Sequence, residues 1–393
     1  MTNKVVVAGV GMTPFVKPTD SATYPEMGAD AIRMALADAG VPYDNVQQAY
    51  AGYVYGDSTA GQRVLYDVGM TGIPIVNVNN NCSTGSTALF LARQAVEAGV
   101  VDCALAFGFE QMVPGALGEV FSDRPNPLEK FIGVVDDLMG QNDVPVALKV
   151  FGGAGVQHQR KYGTEQKTFA KIRAKASRHA VHNDKAIFRS ELSVDDVLAS
   201  PPIFGVLTRL QCCPPTCGAG AAIICSERFA KEHGLDATVR IMGQAMTTDY
   251  PSTFEEHDMM KVVGYDMAQK AAAQVYDQAG IGPDDVDVVE LHDCFTTNEL
   301  ITYEALGLTP EGNAEGFISD DDNTYGGKVV TNPSGGLLSK GHPLGATGLA
   351  QCFELVNQLR GNVGARQVQG ARTGLQHNLG LGGACVVTLY QAH

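Results

Sequence analysis

Short apolar stretches alternate with amphipathic segments along most of the 393-residue chain. Residues 5–11 form a short apolar run that ends in glycine, and residues 26–39 carry a helical pattern closed by Gly40. A further strand is predicted at residues 49–54. This alternation of strands and helices is typical of an α/β protein, whose apolar strands are covered by helices.

One strand pattern runs out in three asparagines at a single cysteine, Cys82. The following residues, 86–97, are rich in alanine and leucine and end at Gly99, which predicts a helix with a glycine stop. Unpaired N–H groups and the positive end of the helix dipole favour a thiolate, so we expect a lowered pKa at Cys82. Cys82 is therefore a candidate nucleophile, and the alternative is a buried structural cysteine.

Two parts of the chain resemble each other, which indicates a duplicated α/β domain. The matching segments are residues 35–46 with 275–286 and residues 82–89 with 342–349. If the halves pack about a pseudo-twofold axis, the equivalent helix N-termini meet and bring Cys82 beside His342. A cysteine and a histidine in contact form an activated nucleophile. The alternative is chance similarity between short glycine-containing segments.

A basic segment lies between the halves. Residues 160–189 contain nine basic and two acidic side chains, whereas the whole chain has a formal net charge of −15. Lysine and arginine bind phosphate oxygens through charge-assisted hydrogen bonds, so the segment is a candidate seat for a phosphorylated ligand. A solvated helix face is the alternative. The candidate ligands are Arg160, Lys161, Lys171 and Arg178.

Charge and apolar run length exclude several classes of protein. The acidic balance argues against a general nucleic-acid surface. No apolar run reaches the roughly 18 residues that a membrane span needs, and the N-terminus leads directly into a strand. Nine cysteines without an export signal predict reduced thiols and a cytoplasmic protein. Cys212, Cys213 and Cys217 cluster without zinc-like spacing, so no metal site is expected.

Further polar turns follow apolar segments in the second half, where α/β proteins place ligands at strand ends. Together with Cys82 they would converge on one site if the duplication is real. The turns contain His292 and Cys294, then His342, and finally His377.

With these motifs the chain resembles the thiolase family, and its sterol carrier protein type in particular. The motifs are His-Asp-Cys-Phe at 292–295, Ser-Lys-Gly-His-Pro-Leu-Gly-Ala-Thr-Gly at 339–348 and Gln-His-Asn-Leu-Gly at 376–380. The resemblance implies a duplicated, five-layered α/β/α/β/α fold with an inserted loop domain that helps to bind coenzyme A. The expected domains are an N-terminal half (1–118 plus 205–228), the loop domain (119–204) and a C-terminal half (229–393).

The chain departs from ordinary thiolases at the second catalytic cysteine. Those enzymes usually carry Asn-Glu-Ala-Phe at 292–295 and a Cys-x-Gly turn at 377–379. The resemblance therefore implies that Cys294 performs the acid/base task. Cys385 is a competitor, but it lies in an apolar strand and is predicted to be core.

The resemblance also implies roles for the remaining site residues. His342 would help to generate the thiolate of Cys82, His292 would donate a hydrogen bond to an enolate oxygen, and His377 would activate or orient groups in the same cleft. Backbone N–H groups of Cys82 and of the turn near Gly383 could form the oxyanion hole.

The expected activity is thiolytic cleavage of a 3-ketoacyl-CoA, with a branched or sterol-derived acyl chain and an acyl-cysteine intermediate. Acetyl-CoA or propionyl-CoA would be released, coenzyme A would be a co-substrate, and no permanent cofactor is expected. The alternatives are a biosynthetic condensing enzyme, a retro-aldol lyase on steroid side-chain CoA esters with a small partner protein, and a non-catalytic acyl-CoA or lipid carrier. The resemblance implies a homodimer or tetramer, and we expect no fused lipid-carrier domain.

Overall fold

Twelve strands form the framework of the computed structural model, which describes residues 2–113 and 121–393. The predicted boundary between residues 118 and 119 lies outside these ranges. The strands, β1 to β12 in chain order, are Val5–Met12, Gln48–Gly52, Ile75–Val78, Cys103–Glu110, Pro202–Phe204, Leu207–Thr208, Gly218–Ser226, Val239–Thr247, Val288–Glu290, Val330–Thr331, Thr373–Gly380 and Ala384–Ala392.

Helices cover and separate these strands. The helices, α1 to α15 in chain order, are Tyr24–Ala39, Ala60–Tyr66, Thr84–Glu97, Glu129–Met139, Val146–Tyr162, Gln166–Ala180, Val194–Leu198, Glu227–His233, Ser252–Glu255, Met259–Val262, Tyr265–Ala279, Thr296–Ala305, Ala314–Ser319, Gly336–Ser339 and Thr347–Arg360. The helices α4 to α7 occupy the segment predicted as a loop domain.

The strand order shows the duplication directly. The first half has the order β3-β2-β4-β7-β1, and the second half repeats it as β10-β9-β11-β12-β8. The first strand of each half pairs with its last strand in antiparallel fashion, β1 with β7 and β8 with β12. The two halves join where β1 meets β8, through the pairing of Val6 with Arg240.

Equivalent glycines occupy equivalent positions in the two halves. Gly40 and Gly280 end α1 and α11 in the same left-handed conformation, each with φ of 69°. A left-handed residue at a helix end favours glycine because it has no Cβ. Gly9 packs against Ala35 of α1, and its counterpart Gly243 packs against Val275 of α11. The predicted duplication is therefore present in the backbone.

The helices α3 and α15 form the central layer, and they pack against strands from both halves. Their N-terminal ends approach closely, because a Cβ at Gly85 would lie 2.7 Å from the carbonyl oxygen of Gly345. Outer helices, α1 on the first half and α11 on the second, complete five layers. The predicted α/β/α/β/α arrangement is confirmed, and it brings the segments that precede α3 and α15 together.

Candidate active site

The turn before α3 is built by its three asparagines. Asn81 adopts a left-handed conformation with φ of 49°, and its amide nitrogen donates to the carbonyl of Leu381 at 3.0 Å. Asn80 donates to the Thr87 hydroxyl at 3.1 Å, while Asn79 accepts from the Asn81 N–H at 3.1 Å. These bonds hold Cys82, which as a residue is partly exposed, just ahead of α3.

Two histidines of the second half meet Cys82 at this turn. The Cys82 sulfur, one ring nitrogen of His292 and one of His342 all lie within 4.8 Å of one another. The two imidazoles are perpendicular, with ring centroids 4.9 Å apart. The structure thus brings Cys82 together with two histidines that lie more than 200 positions later in the sequence.

Hydrogen bonds fix where His342 carries its proton. The Thr347 hydroxyl donates its proton to the Pro343 carbonyl at 2.9 Å, so its oxygen must accept from Nδ1–H of His342, at 2.7 Å. The other ring nitrogen, Nε2, is therefore unprotonated, and it is buried without a hydrogen-bond partner among the described residues. A buried lone pair of this kind can act as a general base toward a nearby thiol.

The other two histidines carry the opposite tautomer. Nδ1 of His292 accepts from the side-chain amide of Asn378 at 3.0 Å, and Nδ1 of His377 accepts from the backbone N–H of His292 at 3.4 Å. Each imidazole consequently has its proton on Nε2. In the part of the chain that the structure describes, Nε2 of His377 has no partner. These two rings are hydrogen-bond donors, in contrast to His342.

Burial changes the expected state of the nucleophile. It raises the pKa of the Cys82 thiol to about 12, helped by the charge of Glu110, although the N–H groups of Cys82 and Leu381 act in the opposite direction. The prediction of a lowered pKa was therefore wrong in the resting site, because desolvation of the sulfur outweighs the helix end. The thiol must give up its proton when the reaction begins.

Four other cysteines named in the sequence have different surroundings. Cys294 is buried, and its backbone carbonyl accepts from the N–H of Cys213 at 2.9 Å. Burial raises the pKa of both thiols well above the usual value, and a nearby Cys82 thiolate adds to the rise. Cys385 lies fully buried in β12, as predicted for a core residue, and Cys217 accepts from the Met112 N–H at 3.1 Å.

Glu110, which the sequence did not single out, is a buried carboxylate at the end of β4. It accepts from the N–H groups of Val54, Tyr55 and Gly345 at 2.9–3.1 Å. It therefore ties the turn that carries His342 to the first half. Burial raises the pKa of Glu110 to about 7. An acidic residue at the end of an apolar strand was the available signal, because functional groups collect at strand ends.

The predicted phosphate ligands lie on the helices α5 and α6. Arg160 and Arg178 are exposed, whereas Lys161 forms an ion pair with Glu311 at 2.9 Å. Lys171 donates to the Ser319 hydroxyl at 3.3 Å. Their role in binding coenzyme A stays a prediction.

Two members of the basic segment are buried, although the charge pattern did not distinguish them. Lys175 forms a buried ion pair with Glu299, and Arg173 donates to the Ser339 hydroxyl at 2.5 Å. Both contacts join α6 to the C-terminal half. Part of the positive charge therefore attaches the loop-domain helices to the rest of the protein.

The glycine-rich turn after β11 also reaches the site. Its Leu381 N–H lies beside the Cys82 sulfur, while Gly383 faces the carboxylate of Asp249. Gly380 has no room for a side chain, because a Cβ there would meet the Ser83 hydroxyl at 2.8 Å. The contribution of Gly383 to substrate binding stays a prediction.

The Cys82 sulfur and the two neighbouring imidazole nitrogens are also a ligand set that Zn²⁺ accepts. The hydrogen-bond network disfavours this use, because His292 carries its proton on Nε2 and its Nδ1 is occupied by Asn378. Ligation by His292 would break the bond to Asn378. The residues therefore fit proton transfer better than metal binding, and the expected lack of a metal stays a prediction.

The buried neutral histidines predict that acid weakens the fold. Burial lowers the pKa of His342 and of His377 to about 3, and that of His292 well below its usual value. Below about pH 6.5 the unfolded chain takes up protons that the folded chain does not. The free energy of unfolding therefore decreases as the pH is lowered, by up to about 1.4 kcal/mol per histidine and pH unit.

Urea unfolding at a series of pH values measures this effect. His377→Gln should reduce the slope of unfolding free energy against pH, whereas the same change at exposed His182 should leave the slope unchanged. An unaltered slope in the His377 variant would show that His377 titrates normally in the folded protein.

A cysteine beside two neutral histidines, one with a free Nε2 lone pair and one with an Nε2–H donor, is an arrangement suited to a cysteine-dependent acyltransferase. Two family models agree with it: "Thiolase, N-terminal domain" matches residues 5–193 and "Thiolase C-terminal domain-like" matches residues 249–390. The chain belongs to the thiolase family and is an acyltransferase, as the sequence motifs predicted.

Named relatives are consistent with this membership. "Sterol carrier protein 2" of Rattus norvegicus is 57% identical over 392 residues, which cover 99% of this chain and 72% of the rat protein. Among solved structures, "Ltp2-ChsH2(DUF35) aldolase" has a TM-score of 0.83 at 21% identity, with 99% of this chain and 98% of that one covered.

Human mitochondrial 3-ketoacyl-CoA thiolase has a TM-score of 0.74 at 19% identity, and the match covers 99% of both chains. At such identities the structural matches show the fold alone. Within the described ranges, no helix combines the length and the apolar composition that crossing a membrane requires.

Proposed function

We propose that this protein cleaves 3-ketoacyl-CoA esters thiolytically, with Cys82 as the nucleophile and coenzyme A as the co-substrate. The observation that carries the proposal is the Cys82 sulfur within 4.8 Å of a ring nitrogen of His342, an imidazole whose Nε2 is unprotonated and has no partner among the described residues. This pairing supplies a nucleophile that is neutral at rest and becomes a thiolate when its proton passes to the imidazole.

The first half-reaction forms the acyl-enzyme. The Cys82 thiol gives its proton to His342, and the sulfur attacks the keto carbon. The bond between that carbon and the α-carbon breaks, and its electron pair becomes the enolate of acetyl-CoA or propionyl-CoA. The Cys294 thiol protonates the enolate, because a buried thiol with a raised pKa keeps its proton until a strong base appears.

The second half-reaction returns every group to its starting state. The thiol of coenzyme A gives its proton to the Cys294 thiolate and attacks the acyl carbon. Cys82 leaves as a thiolate and recovers its proton from His342. Nε2–H of His292 and of His377, together with the N–H groups of Cys82 and Leu381, are the donors available to the oxygen atoms that become negative in these steps.

The acyl chain, the compartment and the assembly remain parts of the proposal. Kinship with proteins named sterol carrier protein 2 supports a sterol-derived acyl chain, and a branched acyl chain stays a prediction. A cytoplasmic location and a homodimer or tetramer stay predictions from the sequence, as do the domain boundaries.

Trapping the intermediate tests the proposal. The protein is incubated with straight-chain and 2-methyl-branched 3-ketoacyl-CoA esters without free coenzyme A, and peptide masses locate the adduct. We expect an acyl group on Cys82 that disappears when coenzyme A is added. Whether acetyl-CoA or propionyl-CoA is released then defines the substrate class.

Two other outcomes would contradict thiolysis. Cleavage of a steroid-type aldol CoA ester, without any adduct from the 3-ketoacyl esters, would indicate a lyase. Tight binding of every ester without turnover or adduct would indicate a carrier.

A further inference from the structure

A buried chain of hydrogen bonds leads from the C-terminal strand to the active site. The Tyr390 hydroxyl donates to Oε1 of Gln376 at 2.5 Å, and Nε2 of Gln376 donates to the Ser86 hydroxyl oxygen at 2.8 Å. Ser86 in turn donates to Oδ1 of Asn378 at 2.8 Å. All four side chains are fully buried, so water does not compete for these bonds.

The direction of this chain is determined by groups that can only accept. Nε2 of Gln376 also donates to the carbonyl of Gly348 at 2.7 Å, which fixes the orientation of its amide. The Ser86 oxygen thus already accepts one proton and has a single proton of its own to give. That proton must go to Asn378, whose amide is thereby oriented with the oxygen toward Ser86.

The other end of Asn378 faces the reacting groups. Its amide nitrogen donates to the backbone carbonyl of Cys82 at 3.1 Å and to Nδ1 of His292 at 3.0 Å. The Cys82 carbonyl can only accept, which independently requires the nitrogen at this end. Nδ1 of His292 therefore receives a hydrogen bond, and the imidazole must carry its proton on Nε2.

We propose that Asn378 is a positioning residue that locks His292 in the Nε2–H tautomer, with its own orientation set by Ser86 and Gln376. The lock makes His292 a hydrogen-bond donor toward the substrate, in contrast to His342, which is a base. Its catalytic consequence rests on the proposed thiolase reaction, but the tautomer itself does not.

The buried chain of hydrogen bonds also joins the two halves of the protein. Ser86 lies in α3 of the first half, four residues after Cys82, whereas Gln376 and Asn378 lie on β11 and Tyr390 lies on β12. A donor at His292 is thus available only when the halves are packed as observed. A neutral histidine in water populates both tautomers with only a modest preference for Nε2–H, so a single tautomer in the folded protein is set by the hydrogen bond at the other ring nitrogen.

Asn378→Asp tests the lock because it replaces the donating amide nitrogen with an oxygen that can only accept when ionised. In protein labelled with ¹⁵N-histidine, NMR reports which ring nitrogen is protonated, and a His292→Gln spectrum assigns the signal. Above about pH 8, where imidazole is neutral, we expect Nδ1 of His292 to be unprotonated in the parent protein and protonated in the variant.

Loss of the donor should lower kcat by on the order of a hundredfold to a thousandfold while KM changes little. Asn323→Asp is the matched control, because Asn323 is equally buried but donates to Tyr303 instead, at 3.0 Å. It should change neither the His292 signal nor kcat. Ser86→Ala, a milder change, removes one of the two contacts that orient the Asn378 amide but keeps its bond to the Cys82 carbonyl, so the Nε2–H tautomer of His292 should still predominate.

The possible outcomes separate two ideas. An unprotonated Nδ1 of His292 in the folded Asn378→Asp variant would overturn the lock. A proton that moves to Nδ1 while kcat stays at the parent value would support the lock and overturn the catalytic part assigned to His292. If the parent protein forms no acyl adduct on Cys82, the thiolase proposal is overturned and the lock is not.

Discussion

Replacing Cys82 with alanine is expected to abolish thiolysis, with a loss in kcat on the order of 10⁴-fold or more. The acyl group then has no atom to which it can be transferred, and the reaction has no covalent route. Binding of the acyl-CoA should survive, because the small, partly exposed side chain adds little to the packing of the turn. Steady-state cleavage of a 3-ketoacyl-CoA and the affinity for a non-cleavable ester measure the two effects separately.

Cys385→Ala is the matched control for this variant. It also removes a cysteine thiol, but this one is fully buried in β12. Activity should therefore stay within a few-fold of the parent protein, despite some loss of stability from the small cavity. A carrier would show the reverse of our expectation: Cys82→Ala would leave every measurable property intact.

The second large effect is expected for Cys294→Ala, which should lower kcat by about 10²- to 10⁴-fold. Without the Cys294 thiol, the enolate that leaves the first half-reaction has no proton donor. The same step run backwards removes a proton from the methyl group of acetyl-CoA. Exchange of deuterium from solvent into acetyl-CoA, followed by NMR or mass spectrometry, therefore reports the proton transfer directly.

Cys213→Ala provides a sharp comparison, because its backbone N–H is bonded to the carbonyl of Cys294 and both thiols are raised in pKa by burial. We expect exchange to continue in this variant and to stop in Cys294→Ala. If exchange stops only in the Cys213 variant, the acid is Cys213 and the assignment of Cys294 is wrong.

Local sequence determined the elements and the family. Apolar periodicity located α1, which was expected at 26–39 and runs Tyr24–Ala39, and the helix after Cys82, which begins at Thr84. The predicted glycine stop at position 40 marked the end of α1, because glycine adopts the left-handed conformation there without a Cβ penalty. The repeated segments were sufficient to predict a duplicated fold, since they specify the same local structure twice.

Only the tertiary structure decided the protonation states of the site. The sequence placed Cys82 at a helix end and so predicted a reactive thiolate, but burial beside Glu110 raises the pKa of the thiol instead. Desolvation depends on what other segments cover a group, and no local pattern encodes that.

The tautomers of the three histidines follow the same rule. His342 is a base because Thr347 accepts a hydrogen bond from its Nδ1–H, which leaves Nε2 unprotonated, and His292 is a donor because Asn378 donates to its Nδ1. Thr347 is a near neighbour of His342, whereas Asn378 is 86 positions from His292. The residue types of the site could be found in the sequence, whereas the direction in which each one moves a proton came from packing the two halves together.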